Sequence, residues 1–124
     1  MSDVATQLSL TSCAVDLETT ASAIVVRLAG ELDMADADRV AQVLRDATSA
    51  GRPIVRLELS GLSFADSSAI KAIILGAQSA AQRGVTFELV NPHRRVRRLL
   101  EVTGLVKALT IIDEPVDQQG PNSL

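Results

Sequence analysis

Carboxylate and hydroxyl side chains follow one another in one short segment, residues 62–69 (LSFADSSA). The segment follows a predicted strand and opens an apolar helix, so Asp66 or Ser67 is placed to cap that helix and Ser68 lies in its first turn. The N–H groups of a first helical turn lack intrahelical partners and carry about half a positive charge, which favours a phosphoryl group. Two interpretations stay open at this point: a helix cap, which Asp-Ser-Ser before an apolar helix commonly is, or a functional site.

A second candidate is the basic segment 93–98 (HRRVRR), which holds four of the twelve Lys and Arg residues. At the spacing i, i+3, i+4, Arg94, Arg97 and Arg98 share one face of a predicted helix, and apolar residues point the other way. Positive charge near a helix N-terminus opposes the helix dipole, which hints at a partner, a phosphate or an acidic surface. The alternative is a solvated helix face, and His93 is predicted to be a surface or capping residue rather than a ligand.

The segment 31–38 places four carboxylates within eight residues, at Glu31, Asp33, Asp36 and Asp38. They could bind a cation weakly. The spacing is not that of an EF-hand loop, however, and helix capping by Asp33 with a solvated face is favoured. One cysteine and one histidine cannot form a zinc site or a Cys/His relay. We therefore predict no metal and no cofactor.

Several classes of function lack the residues that they need. No GxGxxG or GxxxxGK[ST] motif supports a nucleotide site, and no GxSxG elbow supports serine hydrolysis. A small α/β hydrolase or phosphotransferase using Asp66 or Ser67 would lack a base, a metal set and a phosphate loop, so we predict that the chain is not an enzyme. A net charge of −3 and an aromatic content of 2% argue against direct binding of nucleic acid.

Length and composition indicate one soluble domain. The chain has 124 residues, of which 47% are hydrophobic and 22% charged, as is usual for a single globular domain. Its apolar stretches are shorter than the roughly 20 residues that cross a bilayer, and the N-terminus lacks the pattern of a secretory signal. The single cysteine fits a reducing compartment, and we predict a cytoplasmic protein without membrane contact.

The elements that must position these residues alternate between strands and helices. Strands are predicted at residues 23–28, 54–59, 85–90 and 108–112, with 15–19 as a further candidate. Helices follow Asp33, a predicted turn at 60–66, and Asn91, which is predicted to cap the third helix with Pro92 at its first position. This order predicts an α/β domain with a mostly parallel or mixed sheet of four to five strands and helices mainly on one face.

The domain is predicted to span residues 13–113. Residues 1–12 are small and polar, and residues 114–124 contain two prolines and a glycine with few apolar groups. Such segments have little to anchor them, so both are predicted to be flexible.

Three motifs follow one another along the chain: residues 30–33 (GELD), 59–68 (LSGLSFADSS) and 96–105 (VRRLLEVTGL). In sequence, order and spacing they resemble the STAS domain of bacterial anti-sigma factor antagonists, and the likeness runs from about residue 15 to 113. The resemblance implies the STAS fold. It also favours a functional site, rather than a cap alone, at residues 62–69.

The resemblance implies a partner-switching regulator. In that family the unmodified antagonist binds an anti-sigma factor that is also a serine kinase, and this releases the sigma factor. The kinase then phosphorylates the first serine after the aspartate, and a PP2C-type phosphatase resets the system. Carried over, the phosphoacceptor is Ser67, and the protein is a substrate of the kinase and a monomer or weak dimer. Partner contacts are expected at Asp33, Asp66, Ser67, Ser68, Arg94, Arg97 and Arg98.

The chain departs from the family pattern at Ala69, where glycine is usual. The alanine is expected to add a methyl group where a kinase approaches. STAS-like domains also serve as subunits of membrane transporters and as scaffolds in stress signalling. In that alternative the chain is a structural adaptor, and Ser67 is mainly a helix cap.

Overall fold

A computed structural model of the chain describes residues 4–102, 104 and 109–114. These residues form six strands and three helices. In chain order the elements are β1 (Val4–Ser9), β2 (Cys13–Thr19), β3 (Ala23–Leu32), α1 (Met34–Thr48), β4 (Ile54–Ala65), α2 (Ser67–Arg83), β5 (Thr86–Val90), α3 (Arg94–Val102) and β6 (Thr110–Ile112).

The six strands form one mixed sheet in the order β1-β2-β3-β4-β5-β6. β2 is antiparallel to both of its neighbours, β1 and β3, and β3 to β6 run parallel to one another. The predicted α/β architecture is confirmed, with six strands rather than four to five. The carboxyl ends of the parallel strands meet at one edge of the sheet, which we call the carboxyl edge. The turn between β1 and β2 lies at this edge too, because Cys13 pairs with Gly30 near the end of β3.

The additional strand is β1, which lies within residues 1–12, the segment predicted to be a flexible N-terminus. It pairs with β2 over its whole length, from Val4 opposite Thr19 to Ser9 opposite Ala14. Leu8 packs against the core, but Thr6, Gln7 and Ser9 around it are polar, so the hydrophobic alternation that signals a strand is weak. The predicted C-terminal tail, Glu114 apart, lies outside the described residues.

Strand β4 continues to Ala65, through the segment predicted to be a turn. Its register with β3 shifts between Arg27 and Ala29, a bulge that lets the pairing continue. A Cβ atom at Gly61 would lie 3.2 Å from the Ala29 Cβ. The glycine is therefore explained by close packing between two strands and not by a turn.

The helices cover the sheet because their apolar faces match its buried face. α1 packs on α2 and contacts β3 and β4, and α2 contacts β4 and β5. A Cβ atom at Gly76 would lie 2.9 Å from Leu44 Cδ1, so this glycine permits the close approach of α2 to α1. The bulkiest fully buried side chains are Leu28, Leu32, Leu44, Leu57, Leu59, Leu62, Ile73, Leu89 and Leu100. Within the described part of the chain, none of the helices has the length and apolar character that a bilayer crossing requires.

The third helix begins at Arg94 rather than at Pro92. Asn91 does not cap it: this residue has φ 52°, and its Oδ1 accepts a hydrogen bond from the Glu114 N–H at 2.7 Å. Its own N–H donates to the Ile112 carbonyl oxygen at 2.9 Å. Asn91 therefore joins the ends of β5 and β6, a contact between distant residues that a local capping pattern does not reveal.

Candidate functional site

Strand β4 delivers Asp66 to the carboxyl edge, where it caps α2. The Asp66 backbone is extended, and its Oδ1 accepts a hydrogen bond from the Ala69 N–H at 3.0 Å. This satisfies one of the N–H groups that a helix leaves without a partner at its start. The sequence is compatible with either Asp66 or Ser67 as the cap of α2, and in the structure the cap is Asp66.

Ser67 is the first residue of α2, and its side chain is exposed. Ser68 follows in the same turn and is half-buried. A hydroxyl at this position is accessible to an enzyme, and the positive end of the helix dipole lies directly behind it. The geometry meets the two requirements of a phosphate acceptor, which are access and an environment that tolerates negative charge.

Ala69 lies in the core, with 0% of its surface exposed. Its methyl group packs in the main hydrophobic cluster and does not stand in the approach to Ser67. The expectation that this methyl group would meet a kinase is therefore wrong. The third residue of an amphipathic helix points inward when the first points outward, which is the physical reason.

Asp33 occupies the equivalent place at the end of β3. Its Oδ1 accepts a hydrogen bond from the Ala35 N–H at 3.0 Å and caps α1, as predicted. Leu32 and Ala65, the residues before the two capping aspartates, are partners in the parallel ladder. Asp33 and Asp66 therefore lie side by side at the carboxyl edge, each at the start of a helix.

Two large apolar side chains at this edge are exposed to solvent. Met34, the first residue of α1, is 77% exposed, and Phe64, two residues before Asp66, is 43% exposed. With the polar groups beside them, these side chains give the edge the mixed apolar and polar character that suits a protein partner. We call this surface the docking edge, and it consists of Asp33, Met34, Phe64, Asp66, Ser67 and Ser68. Sequence reasoning missed Met34 and Phe64 because exposure depends on how the helices pack.

A groove of about 380 Å³ continues from the docking edge between α1 and α2. Small side chains line its base, and one acidic and one basic side chain line its sides. The residues concerned are Met34, Ala37, Asp38, Ala41, Ser68 and Lys71. The groove offers an apolar recess with both signs of charge beside Ser68.

The arginines of α3 divide into two groups. Arg94 and Arg98 are exposed, whereas Arg97 is half-buried and forms an ion pair with Asp113, just after β6. The helix begins beyond β5, on the opposite side of β4 from Asp33. The structure therefore brings Asp33, Asp66, Ser67 and Ser68 together, and it places the arginines at a different part of the carboxyl edge.

The other residues whose side chains could in principle bind a metal have structural roles. His93 Nδ1 accepts a hydrogen bond from the Arg95 N–H at 3.4 Å, which confirms the capping interpretation. Among the described residues, no group of three or more His, Cys, Asp and Glu side chains could hold a metal ion. The Asp33 carboxylate caps α1, and the Asp36 carboxylate accepts backbone hydrogen bonds.

Asp36 carries a contact that sequence reasoning missed. Its carboxylate is buried and accepts hydrogen bonds from three consecutive N–H groups, those of Thr11 (2.9 Å), Ser12 (2.8 Å) and Cys13 (3.0 Å). Burial acts to raise the pKa of Asp36, but hydrogen bonds from Ser12, Thr11 and Cys13 outweigh it and hold the pKa below its ordinary value. An aspartate in a first helical turn gives no signal of a partner more than 20 residues away.

Comparisons with known proteins agree with this fold. The family model of the STAS domain matches residues 14–117. The anti-sigma F factor antagonist of Paenibacillus polymyxa is 30% identical over 104 residues, which are 83% of this chain and 89% of that protein. The chain therefore belongs to the STAS domain family.

Solved structures share the fold. An anti-sigma factor antagonist from Mycobacterium paratuberculosis superposes with a TM-score of 0.75 at 24% identity, covering 86% of this chain and 89% of that one. The Bacillus cell fate determinant SpoIIAA in its phosphorylated form gives a TM-score of 0.67 at 23% identity, covering 85% and 95%. At these identities the likeness establishes the common fold.

Proposed function

We propose that this protein is an anti-sigma factor antagonist whose docking edge binds an anti-sigma factor until Ser67 is phosphorylated. The observation that carries the proposal is the position of Ser67. It is exposed at the start of α2, at an edge that also exposes Met34 and Phe64. The Paenibacillus relative is named as an anti-sigma F factor antagonist, and SpoIIAA has a phosphorylated form, which supports the proposal.

Binding in the unmodified state rests on the apolar groups of the docking edge. Met34 and Phe64 lose exposed surface when a partner covers them, and buried apolar area contributes about 25 cal/mol per Å². The polar groups around them set the register of the complex. Asp33 and Asp66 keep their capping hydrogen bonds, so they present their remaining carboxylate oxygen to donors on the partner.

Phosphorylation of Ser67 changes the interface more than the fold. A phosphate adds roughly −1.5 to −2 charges, and a helix N-terminus tolerates that charge. The same phosphate stands beside the carboxylates of Asp33 and Asp66 and must be desolvated when a partner binds. A loss of about 3 kcal/mol of binding free energy weakens a complex more than a hundredfold, which is enough to exchange partners.

The anti-sigma factor in this proposal is also the serine kinase, and a PP2C-type phosphatase restores the hydroxyl. The protein is their substrate in the cytoplasm and contributes no catalytic group of its own. Burial of the Ala69 methyl group leaves the approach to Ser67 open, so the alanine is compatible with modification. In the adaptor alternative Ser67 would serve mainly as a cap. The structure gives that role to Asp66, which favours the switch.

Mapping the modified residue tests this proposal. The protein is incubated with ATP and each purified anti-sigma factor kinase of the source organism, and the phosphorylated residue is identified by mass spectrometry. We expect one phosphate on Ser67, none in Ser67→Ala, and normal incorporation in the neighbouring variant Ser68→Ala. Phosphate on another residue, or none with any of these kinases, contradicts the proposal.

A further inference from the structure

The turn between β1 and β2, residues 10–12, lies at the carboxyl edge beside the docking edge. The side chains of Thr11 and Ser12 are exposed, yet their backbone is held by long-range contacts. The Asp36 carboxylate accepts the N–H groups of Thr11 and Ser12 from one side, at 2.9 and 2.8 Å. On the other side the Ser12 carbonyl oxygen accepts the Glu31 N–H at 3.0 Å.

The approach of this turn to β3 is close enough to require a glycine. Gly30 has φ +93°, and a Cβ atom there would lie 2.6 Å from the Ser12 carbonyl oxygen. The turn therefore cannot move toward β3 and is tied to α1 by a buried carboxylate. An exposed turn without these contacts would be free to move.

The residue that ties the turn belongs to the first turn of α1. Asp36 follows Met34 by two residues, and Asp33 caps the same turn. The position of the β1–β2 turn is thus coupled through Asp36 to the part of α1 that carries Met34. The turn also neighbours the docking edge through β3, because Glu31, which donates its N–H to the Ser12 carbonyl oxygen, lies two residues before Asp33.

We propose that the β1–β2 turn is a second contact segment for the anti-sigma factor, and that Asp36 is the positioning residue that presents it. The inference rests on the proposed function and extends it. The turn offers the hydroxyl groups of Thr11 and Ser12 and no charge, so it suits hydrogen-bonding groups on the partner. A segment that is ordered before binding loses less conformational entropy on binding, which strengthens the complex.

Two exposed serines at opposite ends of β2 provide a matched test. Ser12 precedes β2 at the carboxyl edge, and Ser22 lies in the turn after β2, at the opposite edge. We expect Ser12→Glu to weaken binding of the anti-sigma factor kinase that phosphorylates Ser67 at least tenfold. The glutamate places charge and bulk in the contact between the β1–β2 turn and the kinase. Ser22→Glu should leave the affinity within twofold of wild type. Equal affinities for the two variants overturn the contact.

The positioning role is tested separately with Asp36→Asn. Hydrogen–deuterium exchange should show protected amides at Thr11, Ser12 and Cys13 in the wild type and fast exchange in the variant. The kinase should then bind Asp36→Asn at least fivefold more weakly while the amides of β4 stay protected. Faster exchange at the turn with unchanged affinity overturns the positioning role.

Ser67→Asp separates this inference from the proposed function. If Ser67→Asp loses binding and Ser12→Glu does not, the docking edge stands and the second contact segment is wrong. If the wild-type protein binds none of the kinases, both the proposed function and the second contact segment are wrong.

Discussion

The N–H group of Asp66 donates a hydrogen bond to the carbonyl oxygen of Leu32 at 3.3 Å. This contact joins the last residue of β3 to the cap of α2, although the two residues are 34 positions apart. It fixes the starts of α1 and α2 next to each other, because Asp33 follows Leu32 directly. Backbone pairing between β3 and β4 therefore fixes the positions of the side chains in the site.

Removing the α2 cap should destabilise the protein. In Asp66→Ala the Ala69 N–H loses its acceptor, and we expect the free energy of unfolding to fall by about 1 kcal/mol. Asp66→Asn keeps a capping oxygen and should stay within about 0.5 kcal/mol of wild type. Urea unfolding followed by circular dichroism measures both. Equal stability of the alanine variant and the wild type contradicts the assigned cap.

Met34 should contribute to binding and not to folding. Its side chain is 77% exposed, so Met34→Ala removes little packing and should leave the urea midpoint unchanged. The affinity for the anti-sigma factor should fall about fivefold or more, which corresponds to about 1 kcal/mol.

Val102 supplies the matched control for Met34. It is also 77% exposed but lies at the C-terminal end of α3, outside the docking edge. Val102→Ala should bind the anti-sigma factor as wild type does. Isothermal titration calorimetry compares the two variants, and a similar loss of affinity in both argues against a docking edge at Met34.

Acid should release the β1–β2 turn. The pKa of Asp36 lies below its ordinary value, and an unfolded aspartate has a pKa of about 3.9. Its contribution to stability is therefore fully present above the unfolded pKa and is lost as the pH falls through the folded pKa. The stability of the wild type should fall steeply below about pH 4.

Asp36→Asn provides the comparison for this pH dependence. The asparagine does not titrate, so the variant should be less stable at neutral pH and should lose less stability on acidification. Urea midpoints measured from neutral pH to about pH 3 give both curves. Parallel curves for variant and wild type contradict the role given to the Asp36 carboxylate.

Local signals in the sequence predicted most of the parallel part of the fold. Capping involves neighbouring residues only, so the sequence indicates Asp33 as the cap of α1 and narrows the cap of α2 to Asp66 or Ser67. Gly84, in the left-handed conformation with φ 70°, ends α2, and this too is a local property of the chain. Strand β1 and the end of β4 were missed because pairing with a neighbouring strand, rather than hydrophobic alternation, stabilises them.

The sequence predicts which hydroxyl and carboxylate groups form the candidate site. It does not predict which other side chains surround them. The motif around Ser67 marked the correct helix start. The exposure of Met34 and the hydrogen bonds of Asp36 depend on residues that are distant in sequence. Such contacts follow from the packing of α1 on the sheet, which a single sequence does not specify residue by residue.

The most direct test of the switch compares the affinities of the unmodified protein, its Ser67 phosphoform and Ser67→Asp for the same anti-sigma factor. Ser67→Ala serves as the control that keeps the site uncharged. The account predicts tight binding by the unmodified protein and Ser67→Ala, and at least hundredfold weaker binding by the two charged forms, with all four equally folded. Binding of the phosphoform as tight as that of the unmodified protein would contradict it.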